Sequence, residues 1–84
     1  MYCLKYRRQA RNNLARLPSK TKLSIVGKLN ILKEDPDDRV LDVEKLKGSE
    51  GFRLRVGQYR VIYTRYDDEF IIEVIRVRAR GDIY

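Results

Sequence analysis

Residues 52–63 read FRLRVGQYRVIY and alternate apolar and arginine side chains on either side of Gly57-Gln58. A period of two is typical of a strand with one buried face, and a two-residue connection with glycine first is typical of a tight hairpin turn. If Gly57-Gln58 forms that turn, Arg55 lies directly opposite Arg60 on the neighbouring strand. The stretch therefore predicts a hairpin that sorts its side chains onto two different faces.

One face of this hairpin is apolar and the other is basic. The apolar face should pack on the rest of the protein, while Arg53, Arg55 and Arg60 share the opposite face. The direct opposition of Arg55 and Arg60 is unfavourable unless solvent or an anion screens the two charges. An anion-binding site explains the arrangement, and for any one arginine the alternative is a solvated face that keeps the sheet soluble. The apolar side is formed by Phe52, Leu54, Val56, Tyr59, Val61 and Tyr63.

The segments outside the hairpin predict two more strands and two helices. Residues 2–7 alternate in the same way, and residues 70–78 are rich in the isoleucine and valine that strands favour. Apolar side chains at helical spacing predict one helix over about 8–17 and a second that ends near 34, with Ser19 as its N-cap. The apolar stripe of the second helix is Leu23, Ile25, Val26, Leu29 and Leu32.

The resulting order is β, α, α, β, β, β, which predicts an α+β fold. We expect one domain over residues 1–84, in which a helical hairpin packs on one face of an antiparallel sheet and the first strand pairs inside that sheet. A three-residue loop at Asp67-Asp68-Glu69 places Ile75 and Val77 on the helix face, whereas a two-residue loop reverses this. With the three-residue loop, the arginine face gains Arg76, Arg78 and Arg80.

The charges are unevenly distributed along the chain. There are 19 Lys and Arg against 12 Asp and Glu, for a net charge of +7. Residues 1–33 contain no acid, residues 34–50 contain seven acids against three basic residues and predict a loop, and residues 51–84 contain arginine but no lysine. Guanidinium groups suit planar, multidentate contacts with phosphate, and a basic surface attracts polyanions. The arginines of the last segment are Arg53, Arg55, Arg60, Arg65, Arg76, Arg78 and Arg80.

Several classes of protein are excluded by what the sequence lacks. Without histidine there is no Ser/His/Asp or Cys/His catalysis, and most zinc sites are ruled out. The only cysteine, Cys3, sits in an apolar-looking strand and predicts a packed thiol in a reducing cytoplasm. No signal peptide or membrane span is recognisable. No phosphate loop or nucleophile elbow occurs, and no acids are clustered at metal spacing outside the acidic segment 34–50. We therefore expect a cytoplasmic protein without cofactor, metal or membrane contact.

Three short motifs, taken in order, resemble the RelE/ParE superfamily of bacterial toxins, and within it the RelE-type messenger-RNA interferases. They are Leu46-Lys-Gly48, the Gly-x-Tyr-Arg-x-x-Tyr pattern within residues 52–63, and residues 74–80 followed by Asp82-Ile-Tyr84. Together with the order of elements, the resemblance covers essentially the whole chain and implies a RelE-like fold.

The resemblance also implies an activity and its partners. Such a toxin enters the A site of the 70S ribosome, contacts messenger and ribosomal RNA, and cleaves the messenger without a metal. The 2′-hydroxyl attacks the adjacent phosphate in line, so the enzyme must stabilise charge, accept a proton and donate one. A cognate RelB-like antitoxin, acidic and partly helical, holds the toxin inactive until the antitoxin is degraded.

Residue by residue, the resemblance assigns Arg60 and Arg80 to the scissile phosphate and its developing charge. Arg53 and Arg55 match the family's basic pair and are assigned to phosphate contact, and Tyr84 is assigned to base stacking or proton transfer. The remaining residues predicted to bind RNA are Arg7, Arg8, Arg11, Lys47, Arg76 and Arg78.

The chain departs from the family pattern at the proton acceptor. Many relatives have lysine in the basic pair or histidine before the late arginine, where this chain has arginines and Ala79. Arginine stays protonated up to about pH 12, so it is a poor general base and Tyr84 or Asp82 would have to assist. Two alternatives follow: a ParE-like inhibitor of DNA gyrase with the same fold, or an RNA- or ribosome-binding module without catalysis.

Overall fold

The computed structural model describes residues 1–79 as two helices on one face of a five-stranded sheet. The strands run in the order β1-β5-β4-β3-β2, with β1 parallel to β5 and the other neighbours antiparallel. The predicted α+β class, with both helices on one face, is confirmed. The elements are β1 (Cys3–Tyr6), α1 (Arg8–Ala15), α2 (Ser19–Glu34), β2 (Asp42–Lys45), β3 (Gly51–Val56), β4 (Tyr59–Tyr66) and β5 (Ile71–Ala79).

The additional strand, β2, lies in the acidic segment predicted as a loop. It pairs antiparallel with β3, which places Asp42 opposite Arg55 and Glu44 opposite Arg53. Opposite charges at facing positions stabilise an antiparallel pair of strands. Without knowledge of the partner strand, the same acidic segment is typical of a solvated loop. The prediction of a loop throughout residues 34–50 is therefore wrong.

The first strand lies at an edge of the sheet, so the prediction that it pairs inside the sheet is wrong. Its alternation is as predicted, since Leu4 and Tyr6 pack against the core. Cys3 and Lys5 point the other way and are exposed. The predicted packed thiol is also wrong, because β1 is covered by helices on one face and bare on the other.

Helix α2 differs from its prediction in its cap and in its apolar stripe. Pro18 occupies the N-cap position, with φ −57° and ψ 147°, and Ser19 is the first helical residue. Leu23 is 73% exposed, whereas Ile25 and Leu32 are fully buried. At about 100° per residue, Leu23 lies roughly 200° around the helix from Ile25 and on the side opposite Leu32. The stripe that packs on the sheet therefore excludes Leu23.

The hairpin predicted from residues 52–63 is confirmed in its turn and in both of its faces. Gly57 has a φ of 59°, and the first central residue of a type II′ turn requires a positive φ. Leu54 and Val61 lie opposite each other and are fully buried, as is Tyr63. The apolar face of the hairpin thus forms the floor of the core beneath the helices.

The hydroxyl of Tyr63 is enclosed in this core. It makes no hydrogen bond with residues 1–79, and burial raises the pKa of Tyr63 to about 12. A buried hydroxyl without a partner costs about 1–3 kcal/mol, so Tyr63→Phe is expected to raise the free energy of unfolding by about 1 kcal/mol in urea titrations. Tyr2→Phe is the matched control and should lower it, because the Tyr2 hydroxyl donates to Asp67 at 3.0 Å. A destabilised Tyr63→Phe variant would contradict the unpartnered hydroxyl.

The connection between β4 and β5 is longer than predicted. Tyr66 pairs with Ile71, so the loop contains four residues, Asp67–Phe70, in place of the predicted three. Phe70 closes it in the left-handed conformation, with a φ of 53°, and its ring packs edge-on against Tyr2 with centroids 5.5 Å apart. The additional residue shifts the register of β5 by one.

A β-bulge then shifts the register of β5 by one more residue. Val74 pairs with Tyr63 and Arg76 pairs with Ile62, which leaves Ile75 as the inserted residue. The prediction that Ile75 packs on the helix face is therefore wrong, and Val74 occupies the core there. Two shifts of one residue restore the original alternation, so Val77, Arg76 and Arg78 lie on their predicted faces.

Candidate nucleic-acid interface

Two rows of side chains cross the face of the sheet that the helices leave uncovered. Each row runs from β2 to β5, because residues paired across neighbouring strands point to the same side. The Arg60 row consists of Asp42, Arg55, Arg60 and Arg78. The Arg53 row consists of Glu44, Arg53, Ile62 and Arg76. Both rows begin with a carboxylate on the edge strand and end with an arginine on β5.

The Arg60 row holds three arginines on adjacent strands with one carboxylate at its end. The Nε of Arg55 lies 3.9 Å from Oδ2 of Asp42, and the Arg55 side chain is 50% exposed. The Nη1 of Arg60 is buried and makes no hydrogen bond with any residue that the structure describes. An anion bound in this row would reduce the repulsion between like charges and offer an acceptor to the Arg60 guanidinium.

The Arg53 row is more nearly neutral. Nη2 of Arg53 is paired with Oε1 of Glu44, and the Arg53 side chain is only 23% exposed. Apolar Ile62 stands between Arg53 and Arg76. Arg53 therefore faces one opposite charge and no like charge on the neighbouring strand, in contrast to Arg60.

The rows bring together five of the residues predicted for the site, Arg53, Arg55, Arg60, Arg76 and Arg78. Four others lie elsewhere. Lys47 is exposed in the turn between β2 and β3, and Arg7 is paired with Glu73 at 3.1 Å. Arg8 and Arg11 are exposed on α1, in the helical layer and away from both rows. Arg80 and Tyr84 lie outside the described residues.

Arg65 differs from the other arginines of the C-terminal segment and does not belong to this face. Its guanidinium donates to Asp37 at 3.0 Å and to Asp67 at 2.8 Å, and it lies over the rings of Tyr2 and Phe52. The hydrogen bond from Arg65 lowers the pKa of Asp67, and the bonds to Asp37 and Asp67 raise the pKa of Arg65. The grouping of Arg65 with anion-binding arginines is not supported, because its partners are carboxylates of the protein itself.

The two carboxylates of the rows were not among the residues predicted for the site. Asp42 and Glu44 alternate with Val43, which is half-buried, and this period-two pattern was the available signal for a strand. The complementary alternation of Arg53 and Arg55 could have identified its partner.

The chemistry that the two rows can perform is binding and charge stabilisation. Guanidinium groups bind phosphate oxygens in pairs and stabilise negative charge that develops on them. The eight residues of the rows include no lysine and no histidine, so the arginines offer no proton acceptor near neutral pH.

Membrane-spanning helices and metal-binding clusters are absent from the described part of the chain. No helix within residues 1–79 is long and apolar enough to cross a membrane. Across the same residues, no group of three or more cysteine or acidic side chains is arranged to hold a metal ion.

A family model matches nearly the whole chain. Residues 4–84 match the model of the ParE toxin of type II toxin-antitoxin systems, parDE. None of the curated proteins matches the chain.

Solved structures of toxins share the fold. The archaeal RelE from the RelE–RelB complex of Pyrococcus horikoshii OT3 has a TM-score of 0.83 and 29% identity, covering 96% of this chain and 97% of that chain. The intact E. coli RelBE complex matches at a TM-score of 0.81 and 22% identity, covering 98% and 99%. A YoeB/ParE toxin from Agrobacterium tumefaciens matches at 0.79 and 20%, covering 95% and 99%.

Proposed function

The chain belongs to the RelE/ParE superfamily of toxins from type II toxin-antitoxin systems, and from this premise we propose that it is a ribosome-dependent endoribonuclease that cleaves messenger RNA. The Arg60 row is the observation that carries the proposal. Its arginines stand side by side on the uncovered face, and Arg60 has a buried nitrogen without a partner among residues 1–79. A phosphate of RNA supplies the charge and the acceptor oxygens that this row lacks.

The proposed reaction is attack of the messenger 2′-hydroxyl on the adjacent phosphate, which breaks the bond to the 5′ oxygen. Arg60 binds the scissile phosphate together with Arg80 and stabilises the charge that develops on its oxygens. Arg55 and Arg53 contact flanking phosphates. The other basic residues attract and hold the RNA backbone: Arg76, Arg78, Lys47, Arg7, Arg8 and Arg11.

Proton transfer is assigned to residues other than the arginines. A guanidinium stays protonated at physiological pH and cannot accept the proton of the 2′-hydroxyl. We propose that Tyr84, with Asp82 beside it in the sequence, takes part in this transfer or stacks on a base of the messenger.

The proposed regulator is an acidic, partly helical antitoxin, expected with the toxin in the cytoplasm. Two of the similar structures are complexes of RelE with RelB, which supports a partner of this kind. The net charge of +7 favours association with an acidic chain.

Cleavage during translation tests the proposed activity. Purified toxin added to a translating extract should produce defined breaks in the messenger, mapped by primer extension, and the same messenger without ribosomes should stay intact. Tyr84→Phe should reduce the cleavage, because it removes the hydroxyl but keeps the ring. Intact messenger in translating extract at high toxin concentration would contradict the nuclease; binding without cleavage would favour a non-catalytic RNA- or ribosome-binding module.

A second candidate function is inhibition of DNA gyrase, which the match to the ParE toxin model favours. In that case the arginine rows would contact gyrase or its DNA instead of messenger. Gyrase-dependent DNA breaks in the presence of the toxin, without cleavage of messenger, would establish this alternative.

A further inference from the structure

We infer that Asp42 and Glu44 of the edge strand compete with RNA phosphate for Arg55 and Arg53. By neutralising these two arginines, the acids set the affinity of the arginine rows for RNA and its salt dependence. The inference rests on the proposed function, because it concerns the same face. It assigns a role to two acids that no step of the proposed reaction uses.

Cross-strand geometry puts each carboxylate where a phosphate would bind. Asp42 lies directly opposite Arg55, and Glu44 directly opposite Arg53, with an ion pair in each case. A carboxylate and a phosphate present similar anionic oxygens to a guanidinium, so the two compete for the same donors. RNA phosphate that takes these donors therefore has to displace an acid of β2.

The two ion pairs are accessible to exchange. Side-chain exposure is 68% for Asp42 and 66% for Glu44, so solvent and salt screen both pairs. The pair of Arg55 is the looser one, at 3.9 Å and with half of its side chain exposed. Phosphate should therefore replace Asp42 more readily than Glu44.

The acids also steer where RNA binds first. Arg60 on β4 and Arg76 on β5 are paired across strands with no carboxylate, because both acids lie at the β2 end of the rows. Because Asp42 and Glu44 neutralise the arginines of β3, the remaining positive charge is concentrated near β4, in the middle of the sheet. The first phosphate is thereby directed to Arg60 instead of to the edge.

Edge protection is the competing explanation for these acids. Charged side chains on an exposed edge strand prevent pairing with other molecules, and β2 is such a strand. That role predicts that loss of the charges causes self-association but leaves the binding of RNA unchanged.

The test compares RNA binding by the wild type and by Asp42→Asn/Glu44→Gln, which keeps the size of both side chains. Fluorescence anisotropy with a labelled single-stranded RNA, measured over a range of NaCl concentrations, gives affinity and salt slope. Asp68→Asn/Glu69→Gln is the matched control, since it removes the same charge from the exposed β4–β5 loop. Size-exclusion chromatography and thermal unfolding verify that each variant is folded and monomeric.

The β2 variant should bind about 3- to 10-fold more tightly than the wild type near 0.1 M salt. Its plot of log affinity against log salt should be steeper by up to about 1.4, since each freed arginine adds one phosphate contact worth about 0.7 on a single strand. Asp42→Asn alone should account for the larger part of the gain in affinity. The control variant should change the affinity and the salt slope far less.

Two results would overturn the inference. If the β2 and control variants change the affinity for RNA equally, only the net charge of the protein matters. If the affinity of the β2 variant is unchanged or weaker, Asp42 and Glu44 do not compete with phosphate. If the wild type and the β2 variant bind RNA equally, or if neither binds it, the inference fails; the proposed function fails only if messenger also stays intact in the translating extract.

Discussion

Replacement of Arg60 with glutamine is expected to lower the rate of messenger cleavage on the ribosome about a hundredfold or more. Arg60 is the central arginine of its row, and its buried Nη1 makes no hydrogen bond within residues 1–79. Glutamine keeps polar atoms but removes the charge that would stabilise the developing negative charge on the phosphate. The single-turnover rate of messenger cleavage, measured by primer extension at saturating toxin, reports the effect.

The fold should tolerate this change. Arg60 has like charges opposite it on both neighbouring strands, Arg55 and Arg78, so glutamine relieves repulsion and the free energy of unfolding should stay the same or rise. Arg60→Lys should recover part of the rate, because it restores the charge without the planar guanidinium. Arg16→Gln is the matched control, since Arg16 is exposed at the end of α1 in the helical layer. Comparable cleavage by Arg60→Gln and Arg16→Gln would remove the Arg60 row from the active site.

Replacement of Leu29 with alanine is expected to lower the free energy of unfolding by about 2–4 kcal/mol. Leu29 is 1% exposed and packs in the core between α2 and the sheet. A fold of this size has a thin core, and total stabilities of folded domains are only about 5–15 kcal/mol, so this single change removes a large fraction of the free energy of unfolding. Urea unfolding followed by circular dichroism measures it.

Leu23→Ala provides a control with the same chemical change in the same helix. Leu23 is 73% exposed, so its replacement should change the free energy of unfolding by less than about 0.5 kcal/mol. Equal losses in the two variants would mean that Leu23 is buried after all, and that α2 is rotated relative to the orientation described above.

Much of the fold and half of the site follow from short-range patterns. The hairpin of residues 52–63 was predictable because side chains in a strand alternate with a period of two residues. A two-residue turn that begins with glycine also determines the register between the two strands. The opposition of Arg55 and Arg60 follows from that register and is present in the structure. The same patterns predicted two helices and a last strand, with small errors at their ends.

The errors occurred where a partner distant in sequence decides the outcome. Asp42 and Glu44 form a strand with Arg55 and Arg53 opposite them, although acidic residues have a low intrinsic preference for strands. Leu23 is apolar but exposed, because the orientation of α2 on the sheet is selected by all of its contacts together. Arg65 resembles the other arginines in sequence, yet its partners are carboxylates from two separate loops.

The sequence by itself determined the α+β class, the apolar and basic sides of the central hairpin, and the resemblance to RelE-type toxins. The fold class and the two sides of the hairpin depend on alternation and spacing, which are local properties of the chain, and the resemblance depends on short motifs and their order. Only the tertiary structure decided which arginines are neutralised and which are not. The four-residue loop and the Ile75 bulge set the register of β5, and the pairing of β2 brings carboxylates to the arginines of β3. Electrostatic interactions depend on distances across strands, and those distances exist only once the sheet has formed.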